Sequence, residues 1–138
     1  MSWTQTDVVF PDAVLLAADE LEARLPALVG APVPVGNRVP SPRPDRFVRV
    51  RRQGGTRVTV VTEAAQLEVE AWALDQGQAE DLAQACRSVL FSMQCRTVAG
   101  VPVYLVEDVG GPAEVPDPLS DQPVSQFSVA LHVRATTA

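Results

Sequence analysis

The spacing of hydrophobic positions changes along the chain, and the changes mark out its elements. In FPDAVLLAADELEARLPALVG, Val14, Ala17, Leu21 and Leu25 recur on one face at helical spacing, with Asp19, Glu20 and Glu22 largely opposite. Pro11 and Asp12 suit a helix start, Asp12 as the cap of the first free amides, and Pro26 disfavours continuation past Leu25. The pattern predicts a helix over about 12–25. Residues 26–46 hold Pro26, Pro32, Pro34, Pro40, Pro42 and Pro44 with Gly30 and Gly36. They read as a stiff extended connection with room for one short edge strand near Val33–Val39.

Period two then takes over. In FVRVRRQ, Val48 and Val50 point one way and Phe47, Arg49 and Arg51 the other. Gly54-Gly55 is a turn signal, and strand character resumes in RVTVVT and QLEVEAWAL. In the latter, Leu67, Val69 and Ala71 share a face opposite Glu68, Glu70 and Trp72. If the two runs are neighbours in a sheet, Arg49 and Arg51 face Glu68 and Glu70 on its exposed side, in cross-strand pairs worth about 0.2–1 kcal/mol each. Asp75 caps a second helix over about 77–93, with the stripe Ala79, Leu82, Cys86, Val89 and Met93. A strand follows at about 101–108, then a loop, GGPAEVPDPLSDQP, over 110–123. The last strand is VSQFSVALHVRA, with Phe127, Val129, Leu131 and Val133 inward and His132 outward on an edge-like terminal strand.

Helix, strands, helix, strands, with strand–turn–strand pairs dominating, predicts an α+β fold: a mostly antiparallel sheet of about four to five strands, two helices packed on one face. The 138 residues are one domain's worth, 1–138, with no internal repeat. No apolar run approaches the roughly 18–20 residues of a membrane span, and no basic residue precedes the first apolar patch, as a signal peptide would require. The chain is expected to be made and kept in a cytoplasm-like compartment.

Charge changes the picture more than composition does. The segment RVPSPRPDRFVRVRRQGGTR, residues 38–57, holds seven of the eleven basic residues, all arginine, in a chain of net charge −6. Seven Arg against one Asp give that segment +6 and leave −12 on the remainder. Three readings compete: a nucleic-acid contact, a phosphate loop, and a surface facing another protein. The glycines lie between strands, not at a helix start, and no GxxxxGK[ST] or GxGxxG run is present. A pI near 4.6 and few aromatics near the arginines speak against nucleic acid. Pairing with Glu68 and Glu70 absorbs Arg49 and Arg51. Arg38, Arg43, Arg46, Arg52 and Arg57 remain for a head-to-tail contact between identical subunits, basic edge to acidic edge.

No catalytic constellation emerges. His132 reads as a solvated surface histidine and Cys86 as a buried structural thiol. Asp19-Glu20 and Glu80-Asp81 lie on helix exteriors. Cys86 and Cys95 are nine residues apart, about 13 Å along a continuous helix, too far for a disulfide. One histidine and no CxxC pair leave no zinc site, so no metal and no cofactor is expected. The loop 110–123 is longer than a hairpin needs, and with Glu114, Asp117 and Asp121 it reads either as a solvated, mobile connection or as a docking element.

FPDAVLLAADELEARLP, the arginine segment, LEVEAWALDQGQAEDLAQACRSVL and VYLVEDVGGPAEVPDPLSDQPVSQFSVALHVRA together resemble tail terminator proteins of long-tailed phages infecting actinobacteria, over about residues 9–135. The resemblance implies a non-enzymatic virion protein that assembles as a hexameric ring on the head-proximal end of the tail tube. Such a ring stops tube polymerisation and meets the head connector or head-closure protein. DNA passes through it without specific binding, and no membrane is involved. It also implies assembly in the host cytoplasm. Head-closure and head-completion proteins of the same neck are the alternative.

Overall fold

The computed structural model describes residues 7–115 and 122–137. In chain order the elements are β1 Val8–Val9, α1 Ala13–Val29, β2 Val35–Gly36, β3 Phe47–Arg57, β4 Thr62–Trp72, α2 Gln76–Phe91, β5 Arg96–Val98, β6 Val101–Glu114, β7 Val124–Arg134 and β8 Thr136–Thr137. β1 and β8 form a small antiparallel pair that ties the two ends of the chain together. The main sheet has six strands in the order β2-β3-β4-β7-β6-β5, more than the expected four to five. It is mixed, because β2 runs parallel to β3 while every other neighbouring pair is antiparallel.

Both helices cover one face of this sheet. Leu21 and Leu25 from α1, Leu82 and Cys86 from α2, and the inward set Leu67, Val69, Phe127 and Leu131 form one buried core. The alternation read in β4 and β7 and the stripe read in α2 are therefore the core-facing positions. Asp12 caps α1 by accepting the Leu15 amide (3.0 Å), and Asp75 caps α2 by accepting the Gln78 amide (2.8 Å).

α1 does not stop at Leu25. It runs through Pro26 to Val29, where Gly30, at φ 81°, donates its amide to the Pro26 carbonyl (2.9 Å). Pro26 sits in the last turn, so its missing N–H removes one hydrogen bond from a helix with only three residues still to run, and Val29 packs against the core beyond it.

The Gly54-Gly55 pair is not the hairpin turn. The register slips between Arg52 and Gly55, which makes the pair a bulge within β3, and the chain reverses at Val58–Val61, where the Val58 and Thr59 amides both reach the Thr62 carbonyl. RVTVVT, expected as strand, thus holds the turn, with Val60 71% exposed at its tip. Gly55 has φ 140°, and a Cβ there would lie 2.3 Å from the Ala64 carbonyl oxygen, so the close approach of β4 requires glycine.

Two further expectations change. β6 continues through Gly110 and Gly111 to Glu114, paired with Gln126 and Ser125 of β7, so much of the expected loop 110–123 is strand. Its register slips at Gly110, and Gly111 (φ 92°) lies against the β7 backbone. β7 is an interior strand between β4 and β6, so His132 lies on no edge; it is half-buried, with Nε2 3.0 Å from Glu107 Oε1.

Candidate assembly surface

β3 carries the basic segment through the sheet. Its register sets Arg49 opposite Glu70 and Arg51 opposite Glu68, the pairing the two alternations require, and both ion pairs form. Glu68 and Glu70 are nevertheless buried, not solvent-facing. Gln53 donates a further hydrogen bond to Glu68, and Arg51 also approaches Glu70 at 3.7 Å. The hydrogen bond that Arg51 donates to Glu68 is the main cause that holds its guanidinium above its ordinary pKa, against the opposing effect of burial.

The other five arginines do not share one edge. Arg38, Arg43 and Arg46 precede β3, at the end of the sheet where Phe47 stacks on Trp72 (ring centroids 5.0 Å apart) over Val124. Arg43 lies over the Trp72 ring at 5.1 Å and reaches Gln122 Oε1 at 3.4 Å. Arg46 lines a cleft of about 290 Å3 with Leu28 and Asp81. Among the described residues Arg38 and Arg46 form no ion pair. Arg52 lies in the middle of β3 and Arg57 ends it. Arg52 bonds Glu63 (3.2 Å) and the Gly54 carbonyl (2.9 Å), and Arg57 lies over the Phe10 ring at 5.0 Å. Arg52 lies six strand steps beyond Arg46, roughly 20 Å.

Glu114 ends β6 at the Arg43 end of the sheet, exposed. Asp117 and Asp121 lie outside the described residues. The turn valines, the buried Trp72 Nε1 without a partner among the described residues, and the edge caps Gln94 and Cys95 were all missed in the sequence. For the valines, the absence of strict alternation in RVTVVT was the available signal; the other features depend on tertiary packing.

Cys86 is buried, and burial pushes its thiol well above the usual range; Cys95 is exposed, and both are free. An exchange-labelling reagent is therefore expected to modify Cys95 rapidly in the native protein and Cys86 only in denaturant. Equal rates at both thiols under native conditions would contradict this burial. Among the described residues no cluster of three or more His, Cys, Asp or Glu side chains could hold a metal.

The chemistry displayed is thus that of surfaces: layered charges, an aromatic corner and open strand ends. The fold agrees with that of a virion chain. A chain in the structure "Virion of native gene transfer agent (GTA) particle" superposes with a TM-score of 0.60 at 19% identity, covering 90% of this chain and 99% of that one. No curated protein matches the sequence. Residues 9–138 match the family described as phage tail termination protein, and the chain belongs to that family. It is a structural, tail-terminating protein of a phage-type virion, in a family that is not enzymatic.

Proposed function

We propose that six copies of this chain form a ring on the head-proximal end of the tail tube, halt tube polymerisation, and present the surface that the head connector or head-closure protein joins. The observation that carries this reading is the family match over nearly the whole chain. The ion pairs of Arg49, Arg51 and Arg52 with Glu70, Glu68 and Glu63 support a protein-facing reading of that part of the basic segment, because carboxylates of the same sheet already neutralise those three cations. With a net charge of −6, the subunit repels DNA, which passes through the ring without specific contacts.

The sheet end that carries Arg38, Arg43, Arg46 and Glu114, with Asp117 and Asp121 in the following segment, is the rim that meets the tube or the connector. Arg52, midway along β3, and Arg57, at its end, belong to the contact between subunits. Reversing Arg38 and Arg46 to Glu is expected to cost no more than about 1 kcal/mol of folding stability, because Arg38 is exposed, Arg46 is half-buried, and neither forms an ion pair among the described residues. The same change should cut the yield of joined particles at least tenfold. Unchanged yield would remove these two arginines from the rim.

Deleting the gene and imaging the lysate tests the function itself. Overlong tails are expected. Tails of normal length beside unjoined heads would instead assign the chain to head closure or head completion.

A further inference from the structure

β3 and β6 each leave half of one edge open, on opposite sides of the same sheet. β2 covers β3 only at Val48 and Arg49, and β5 covers β6 only from Val101 to Val103. The Val48 amide donates to the Pro34 carbonyl across the β3 edge (2.9 Å). Strand alternation directs the main-chain groups of Val50 and Arg52 the same way, past the end of β2. On β6 the Val106 amide donates outward to the Gln94 side-chain oxygen (3.0 Å), and Cys95 Sγ lies 3.6 Å from the Tyr104 carbonyl. These two side chains close the first part of that edge. Alternation then directs the main chain of Asp108 outward, with no strand beside it among the described residues.

The two edges carry charge in layers of opposite sense. On β3 the cations are outermost: the Arg51 side chain is 46% exposed and its partner Glu68 9%, and Arg52 likewise stands outside Glu63. On β6 the carboxylates are outermost: Glu107 is 56% exposed and its partner His132 17%, and Asp108 stands outside Arg87. Each edge presents the sign that the other attracts.

Register matches as well. Arg52 is opposite Leu67, Leu67 opposite Val129, and Val129 opposite Asp108, so Arg52 and Asp108 occupy one row at the two margins of the sheet. By parity with Val50 and Val106, both side chains lie on the helix-bearing face. Three antiparallel steps separate the strands, so β3 and β6 run in opposite directions.

We propose that β3 of one copy pairs antiparallel with β6 of the next, centred on Arg52 and Asp108, so that the sheet continues from subunit to subunit. This rests on the ring reading and names the contact within it. The partner is a second copy of this chain, because the complementary edge, in sign, row and direction, is its own. The contact is heterologous, so each copy keeps one edge of each kind free until the ring closes. An antiparallel hydrogen-bonded pair sets the two Cα atoms about 5.5 Å apart, within disulfide reach.

Arg52→Cys with Asp108→Cys, in a Cys95→Ser background, tests the pairing under mild oxidation. The expected result is a ladder of disulfide-linked species from dimer upward, with neither single-cysteine variant linking. Gln53→Cys with Glu107→Cys, one row along and on the other face, is a second pair should the first fail to fold. Both are examined in concentrated solution and on tails isolated from phage carrying the variant. The absence of a ladder from folded protein in both settings overturns the edge pairing. Tail length in those particles separates the readings. Normal tails without cross-links leave termination standing and remove this contact, whereas normal tails after gene deletion remove termination.

Discussion

Gly111→Ala is expected to lower folding stability by about 3–4 kcal/mol, and the melting temperature by roughly 10 °C for a chain of this size. Gly111 holds φ 92°, which costs a side-chain-bearing residue about 1–3 kcal/mol. A Cβ there would lie 2.6 Å from the Gln126 carbonyl oxygen and 2.8 Å from Phe127 Cα. Those atoms belong to the backbone of β7, an interior strand whose Phe127 is in the core, so the obstacle cannot swing aside. Separating them means shifting β6 from β7, which adds about 1–3 kcal/mol of overpacking. Gly110→Ala is the control, because a Cβ at that position meets nothing within 4 Å. Urea unfolding of both variants decides the matter, and equal midpoints would show that the β6–β7 approach is not as close as described. Gly55→Ala, with its Cβ 2.3 Å from the Ala64 oxygen, is expected to behave like Gly111→Ala.

Glu70→Ala is expected to destabilise by about 1.5–3 kcal/mol, the range for a hydrogen bond to a charged group whose partner loses its acceptor. An exposed cross-strand pair would contribute only about 0.2–1 kcal/mol. The difference arises from position. Glu70 is buried between β3 and β7 and receives both Arg49 and, at 3.7 Å, Arg51. Arg49 and Arg51 are themselves part-exposed, so water recovers some of their solvation, and this holds the expected loss below that of a fully buried pair. A double-mutant cycle with Arg49→Ala isolates the coupling. A coupling below about 0.5 kcal/mol would place the pair among ordinary surface pairs.

Much of the assembly was legible in the order of residues. The pairing of FVRVRRQ with QLEVEAW followed from two alternations of opposite charge, and the register bears it out, Arg49 to Glu70 and Arg51 to Glu68. The exposure of those carboxylates was not legible. A strand's alternation says which side chains share a face and is silent on what covers that face. The arginine segment was likewise visible as a charge excess, yet only Arg49, Arg51, Arg52 and Arg57 fall in β3 while Arg38, Arg43 and Arg46 precede it, so the excess is not gathered at one place.

The local rules therefore determined the elements whose cause is local. Asp12 and Asp75 start the helices because their carboxylates reach amides three residues on, and the stripes of α2 and β7 face the core because apolar spacing alone selects the side that leaves water. Tertiary structure decided where local signals admitted more than one answer. Gly54-Gly55 satisfies a turn and a bulge equally well, and the approach of Ala64 selects the bulge. GGP at 110–112 satisfies a loop as well as an irregular strand, and the Gln126 and Ser125 backbone selects the strand. β7, which the sequence alone suggested as an edge-like terminal strand, became an interior one because β4 and β6 both had a side left to pair, and main-chain hydrogen bonds between strands carry no signature in the side-chain pattern of either.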